Sequence, residues 1–136
     1  MDVVLLIGRV LFVALFLGSA FGHLTQTDAM AGYAASRGVK MARPATLASG
    51  VMMVLGGLSV LLGVWGDLGA LLLFVFLVPT AFLMHGFWRE TDPTAKQTEM
   101  VQFNKDVALA GAALAFFWAF SQDPGLTVTG PLFSMG

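Results

Sequence analysis

The sequence predicts an all-α membrane protein, namely a four-helix transmembrane bundle with a short interfacial helix between helices one and two. The 136 residues are 57% hydrophobic and only 11% charged, with a mean hydropathy of +0.83, which exceeds the usual composition of a soluble domain. Four apolar runs are each about twenty residues long, which as an α-helix crosses a ~30 Å hydrocarbon core. Because backbone in lipid must satisfy its own hydrogen bonds, these runs are predicted to be helical.

Proline, glycine and capping residues set the predicted helix boundaries. The helices lie at about 3–22, 44–65, 68–88 and 98–121, and residues 1–136 form one integral membrane domain. Pro44 suits a first helical turn, where its missing N–H has no intrahelical partner. Almost no loop separates helices two and three, which predicts an antiparallel hairpin. Asp92 followed by Pro93 is typical of a helix start and favours a fourth helix that begins before residue 98.

The connection between helices one and two, residues 25–43, is too polar to span a membrane. It carries Met30, Tyr33 and Ala34 at helical spacing and then reaches Gly38, a residue that often ends a helix. This pattern predicts the short interfacial helix.

Lysine and arginine fall mostly on one side of the predicted bundle. The two long connections and the start of helix four hold six of the seven, which are Arg37, Lys40, Arg43, Arg89, Lys96 and Lys105. Cytoplasmic segments of membrane proteins retain such residues. We therefore predict a multi-pass plasma-membrane protein with both long connections in the cytoplasm and both termini outside.

Composition also excludes several function classes. The formal net charge of −1 gives no basic patch of the kind that binds nucleic acid. The chain has no cysteine, so it has no thiol chemistry of its own and a redox role requires a cofactor or partner. No phosphate-binding loop or zinc-hydrolase motif is present, so hydrolysis and nucleotide chemistry are not indicated.

Ionisable residues in apolar helices are costly, so they are the first candidates for function. Arg9 lies about two turns into helix one, and Asp67 lies at the start of helix three. Antiparallel packing brings both to the same end of the bundle. We therefore predict a structural ion pair between Arg9 and Asp67 near the outer face.

A second group of polar residues is predicted near the inner face. Helical phasing places His23, His85 and Asp106 at the same end of the bundle, close to Asn104.

Three interpretations of this group remain open. The two histidines and Asp106 are weak candidates for a metal site, although their spacing matches no local motif and we predict none. A quinone could bind to His85, Trp88, Asn104 and Arg9, with aromatic side chains holding its ring. Alternatively, His85 and Asn104 simply join two helices through a hydrogen bond.

Several short motifs in order resemble the DoxX family of small bacterial membrane proteins. They are Gly-Arg-Val-Leu-Phe around Arg9, Gly-Tyr-Ala-Ala-Ser-Arg-Gly-Val in the connection, paired glycines at Gly56-Gly57, His85-Gly86-Phe87-Trp88, and Asn104 followed by Gly111. The family pattern commonly has a glutamate three residues before the paired glycines, whereas this chain has Met53. The resemblance implies a redox setting, because members include membrane subunits of a thiosulfate:quinone oxidoreductase and of an oxidative-stress complex.

The favoured prediction is a DoxX-like accessory or assembly subunit of a membrane-bound redox complex, non-catalytic and without a cofactor of its own. Its expected partners are the lipid bilayer, other subunits of that complex and, as a further option, a second copy of the chain. Two alternatives stay open: a quinone-reactive oxidoreductase subunit, and a small transporter that oligomerises to enclose a pathway.

Overall fold

A computed structural model describes residues 1–133, which form five α-helices and one 3-10 turn without a strand in that range. The elements are α1 (Asp2–Thr25), α2 (Thr27–Ser36), α3 (Ala42–Leu62), α4 (Gly66–Met84), the 3-10 turn (Phe87–Arg89) and α5 (Pro93–Ser121). Four segments are long and apolar enough to cross a membrane: α1, α3, α4 with the 3-10 turn, and α5. The predicted fold class is confirmed, including the short helix α2 between the first two spans.

Local chemistry accounts for the ends of α4 and α5. The Asp92 side chain accepts a hydrogen bond from the backbone N–H of Ala95 at 2.9 Å, and Pro93 follows at the first helical position, so α5 begins before the predicted boundary at residue 98. Helix α4 ends at Met84, and the chain then passes through Gly86 into the 3-10 turn. The last turn that the sequence predicted for this helix is therefore a separate 3-10 turn, and His85 lies directly after the end of α4.

Helices α3 and α4 approach closely because small residues meet at their contact. A Cβ atom on Gly69 would lie 2.2 Å from Ser59 Oγ, and one on Gly56 would lie 2.8 Å from Leu73. Glycine at both positions lets the helix backbones come together, as small residues do in membrane bundles. Gly111 on α5 has open space around it, so it takes no part in this kind of contact within the described chain.

The buried core runs along the bundle axis between α1, α3, α4 and α5. Aromatic and aliphatic side chains fill it, with small alanines where helices are closest: Phe12, Val13, Phe16, Ala20, Met53, Val60, Ala70, Leu73, Leu77, Ala110, Ala113 and Phe120. The outward faces carry exposed apolar side chains, as expected where lipid is the solvent.

Arg9 organises one end of the bundle, called here the terminal end because it also holds the N-terminus and residues 122–133. The guanidinium is fully buried and donates to the carbonyl oxygens of Val60 (2.8 Å), Leu61 (2.6 Å) and Leu126 (2.9 Å). It also lies over the ring of Phe120, 5.4 Å from the centroid. Val60 and Leu61 are in the last turn of α3, where carbonyls lack helical partners. Arg9 therefore supplies both the donors and the positive charge that a helix C-terminus favours.

Asp67 lies at the same end but binds a different part of the chain, near the end of the described residues. Its carboxylate accepts hydrogen bonds from the backbone N–H groups of Leu132 (2.9 Å) and Phe133. Arg9 and Asp67 are both fully buried, yet each is satisfied by main-chain groups and no ion pair joins them in the described residues. The predicted direct pair is replaced by two separate anchors, because residues 122–133 fold back and present one carbonyl to the cation and two amides to the anion.

We expect Arg9→Met to lower the free energy of unfolding by about 2–4 kcal/mol, because three buried carbonyl oxygens lose a charged donor. Unfolding in a detergent mixture by increasing SDS, followed by circular dichroism, measures the change. Arg43→Met is the matched control. Arg43 pairs with Asp28 on the surface, with side chains 58% and 90% exposed, so its removal should change stability little. Equal stability of the Arg9 variant and the wild type would contradict this role for Arg9.

Candidate functional site

A cavity of about 590 Å³ lies at the opposite end of the bundle, called here the connector end because α2 and the 3-10 turn are there. All five helices contribute to its walls. Most of the lining is apolar: Leu15, Phe16, Ala29, Met30, Ala34, Val39, Ala45, Met52, Met53, Val75, Phe76, Leu77, Pro79, Leu83 and Met84. Polar side chains gather on the wall where α4 ends against α5.

His85 is the centre of this polar wall. Its Nδ1 lies 2.7 Å from Glu99 Oε2, and its Nε2 lies 3.7 Å from Asp106 Oδ2. Glu99 and Asp106 are two helical turns apart on α5, so they share one face and meet the imidazole from two sides. The end of α4 at Met84 directs His85 toward α5 instead of continuing a helical row. The result is a carboxylate–imidazole–carboxylate cluster at the edge of the cavity.

Three interactions join α2 and the residue that follows it, Arg37, to the region around this cluster. Tyr33 donates its hydroxyl to Glu99 Oε1 at 2.6 Å, and Arg37 forms an ion pair with Glu90 while its Nε donates to the carbonyl of Met84 at 2.9 Å. Burial and the neighbouring Glu99 carboxylate raise the pKa of Tyr33 from 10.0 to about 12. The hydrogen bond to Glu90 raises the pKa of Arg37 above its usual range. Tyr33 is thus a stable donor and Arg37 a permanent cation at neutral pH.

Asp106 has a buried oxygen without a partner. Its side chain is 6% exposed, the residue lines the cavity, and Oδ2, 3.7 Å from His85 Nε2, makes no hydrogen bond. Buried polar atoms are almost always satisfied, and an exception calls for an explanation such as a bound ligand. Arg37 Nη2 is the other buried polar side-chain atom without a partner in the described chain. Only Asp106 lines the cavity, so the missing donor belongs there.

Three of the sequence-predicted site residues line the cavity and four do not. His23, His85 and Asp106 all border it, and His23 Nδ1 donates to the carbonyl of Ser19 at 2.8 Å. Arg9 and Asp67 are both at the terminal end, away from the other candidates. The described residues contain no group of three His, Cys, Asp or Glu side chains arranged to hold a metal ion.

Asn104 and Trp88 take other positions than the quinone interpretation required. Asn104 is exposed on the outer face of α5, and no hydrogen bond joins it to His85. The bonds that His85 makes to α5 go to Glu99 instead, because residue 104 points away from α4. Trp88 is half-exposed and packs in an aromatic cluster with Phe82, Phe87 and Phe103, outside the cavity lining.

The sequence interpretation missed four residues of the site: Tyr33, Arg37, Glu90 and Glu99. A signal was present for Glu99, because it precedes Asp106 by two helical turns and shares its face. Met53, where the family pattern commonly has a glutamate, is 1% exposed and lines the cavity. The chain therefore presents a thioether to the cavity at that position.

These features define a multi-pass membrane protein with a polar-edged cavity at one end of a four-helix bundle. A model of the DoxX family matches residues 4–86. The inner membrane protein YphA of Escherichia coli (strain K12) is 31% identical over 129 residues, which cover 95% of this chain and 84% of YphA. No solved structure matches the chain. The chain belongs to the DoxX family, which confirms the resemblance found in its motifs.

Alkaline titration tests the bond between α2 and α5 directly, because Tyr33 is the single tyrosine of the chain. We expect the tyrosinate absorbance band of the folded protein to appear with a midpoint near 12 and the unfolded protein to titrate near 10. Because the folded pKa is the higher one, this bond contributes fully to stability below pH 10 and its contribution is lost as pH rises toward 12.

Glu99→Gln should lower the midpoint toward 10, since it removes the negative charge beside the phenol. Asp28→Asn, which changes an exposed carboxylate on the same helix, is the control and should leave the midpoint unchanged. A folded wild-type protein that titrates near 10 would rule out the Tyr33–Glu99 contact.

Proposed function

We propose that the protein is a quinone-binding membrane subunit of a membrane-bound redox complex in the bacterial inner membrane. The observation that carries this proposal is the apolar connector-end cavity with an unsatisfied carboxylate oxygen at its polar edge. A cavity of about 590 Å³ is within the ~300–1,000 Å³ range of small-molecule sites. Such sites have mostly apolar walls and a few polar groups that orient the ligand, as here.

The residues of the cavity fit a ring with polar substituents. Phe76 and Leu77 on α4 and Met53 on α3 offer flat or adaptable apolar contacts for the ring. His85 and Asp106 are available to hydrogen-bond a ring oxygen at one edge. A bound quinone would supply two-electron redox chemistry that a chain without cysteine lacks, with electrons exchanged through a partner subunit.

Membership of the DoxX family and the YphA match support a membrane location, and the excess of Lys and Arg at the connector end supports a cytoplasmic position for that end. The termini would then be outside. In this arrangement the polar edge of the cavity is near the cytoplasmic headgroups, where the ring of a membrane quinone can reach it while its tail stays in lipid.

Binding of menadione to the protein in nanodiscs, measured by equilibrium dialysis against empty nanodiscs, tests the proposal. We expect saturable binding by the wild type and at least a tenfold weaker affinity for Met53→Trp, because the larger side chain fills the cavity. Leu55→Trp is the matched control on the same helix. Its side chain is 60% exposed toward lipid, so binding should be retained.

The same preparation separates the other functions considered. Absence of saturable menadione binding, together with purification in a stable complex with other subunits, would favour the accessory or assembly role. Substrate flux in proteoliposomes without quinone binding would favour a transporter. Binding that survives in Met53→Trp but not in Leu55→Trp would contradict the assignment of the cavity as the site.

A further inference from the structure

The polar edge of the cavity contains a buried acceptor that lacks a donor. Asp106 Oδ2 is buried, accepts no hydrogen bond, and lies 3.7 Å from His85 Nε2. That separation is too long for a direct hydrogen bond. It is short enough for one ligand oxygen to lie within hydrogen-bond distance of both atoms.

A hydroxyl oxygen satisfies this pair and a carbonyl oxygen does not. A hydroxyl can donate its hydrogen to Asp106 Oδ2 and can also accept from His85 Nε2 when the imidazole is protonated. A carbonyl oxygen only accepts. It would leave the carboxylate unsatisfied and place two partial negative charges against each other in an apolar cavity. The ionised Asp106 carboxylate needs a donor in either protonation state of His85, so the conclusion requires an ionised Asp106 and does not depend on the charge of the imidazole.

Three further hydroxyls that line the cavity add no free donors. The hydroxyls of Thr46, Ser49 and Thr80 donate to helix carbonyls at 2.8, 2.9 and 2.7 Å, so they offer only lone pairs to a ligand. Lys105 is 40% exposed; its ammonium donates to Gln102 at 2.6 Å and lies 3.8 Å from the other Asp106 oxygen, Oδ1. These three hydroxyls therefore present acceptors to a ligand, and Asp106 Oδ2 is the buried atom of the described lining that has no hydrogen-bond partner.

We infer that the site selects the reduced, dihydroxy form of its ring ligand over the oxidised, dicarbonyl form. This inference rests on the proposed function and adds the redox state that the protein prefers. Sites built around a ligand hydroxyl discriminate strongly against an analogue that lacks the hydrogen, because a buried group is then left unpaired. We expect menadiol to bind at least ten times more tightly than menadione. For a two-electron couple, a tenfold preference raises the midpoint potential of the bound ligand by about 30 mV.

The test is anaerobic equilibrium dialysis of menadiol and of menadione against the protein in nanodiscs, with empty nanodiscs correcting for partition into lipid. A redox titration of the loaded nanodiscs measures the potential independently. Tighter binding of menadiol with a positive shift of the potential supports the inference. Equal affinities, or tighter binding of menadione, overturn the inference and leave the proposed quinone site intact. Binding of neither form overturns both.

The Asp106→Asn variant tests whether the preference for menadiol over menadione depends on the Asp106 carboxylate. The asparagine amide can donate to a carbonyl, so menadione should gain affinity, menadiol should lose it, and their ratio should approach one. Asn104→Ala, on the exposed face of the same helix, is the control and should keep the wild-type ratio. A wild-type ratio in a folded Asp106→Asn protein overturns the assignment to Asp106. If that variant does not fold, the ratio measured with the wild type still decides the inference.

Discussion

The arrangement of this bundle depends on a buried arginine that binds the end of a neighbouring helix. The last carbonyls of α3 have no partners within the helix, and in a membrane they cannot turn to water. Arg9 covers Val60 and Leu61, while the backbone N–H of Val128 donates to Leu62 at 3.0 Å. These bonds satisfy the carbonyl oxygens at the tight turn into α4 without water. The position of α4, and with it the place where His85 leaves the helix, follows from that turn.

The two ends of the bundle use charge in opposite ways. At the terminal end, Arg9 and Asp67 are fully buried and hydrogen-bonded to backbone groups, and neither borders the connector-end cavity. At the connector end, His85, Glu99 and Asp106 are linked to one another but retain one unsatisfied oxygen beside a cavity. Buried charge is therefore structural at the first end and chemically available at the second. Distance along the bundle keeps the two roles separate.

Periodicity and capping chemistry were sufficient to predict the fold class and α2, because apolar length and helix-stop residues are local signals. They also brought His23, His85 and Asp106 to one end. The direct Arg9–Asp67 pair could not be judged from sequence, since the competing partners come from a return of the chain at residues 122–133 that has no periodic pattern. Asn104 was placed at the site by proximity in sequence, whereas helical rotation turns it outward and turns Glu99 inward.

The bonds of Arg9 cannot all form at the same stage of biosynthesis. Arg9 enters the membrane with the first helix, but one of its three acceptors, Leu126, is 117 residues further along the chain. Until that segment has been synthesised and folded back, the first span carries an incompletely solvated cation. A chain stalled or cut before residue 126 would therefore keep an arginine with one acceptor missing inside its transmembrane region.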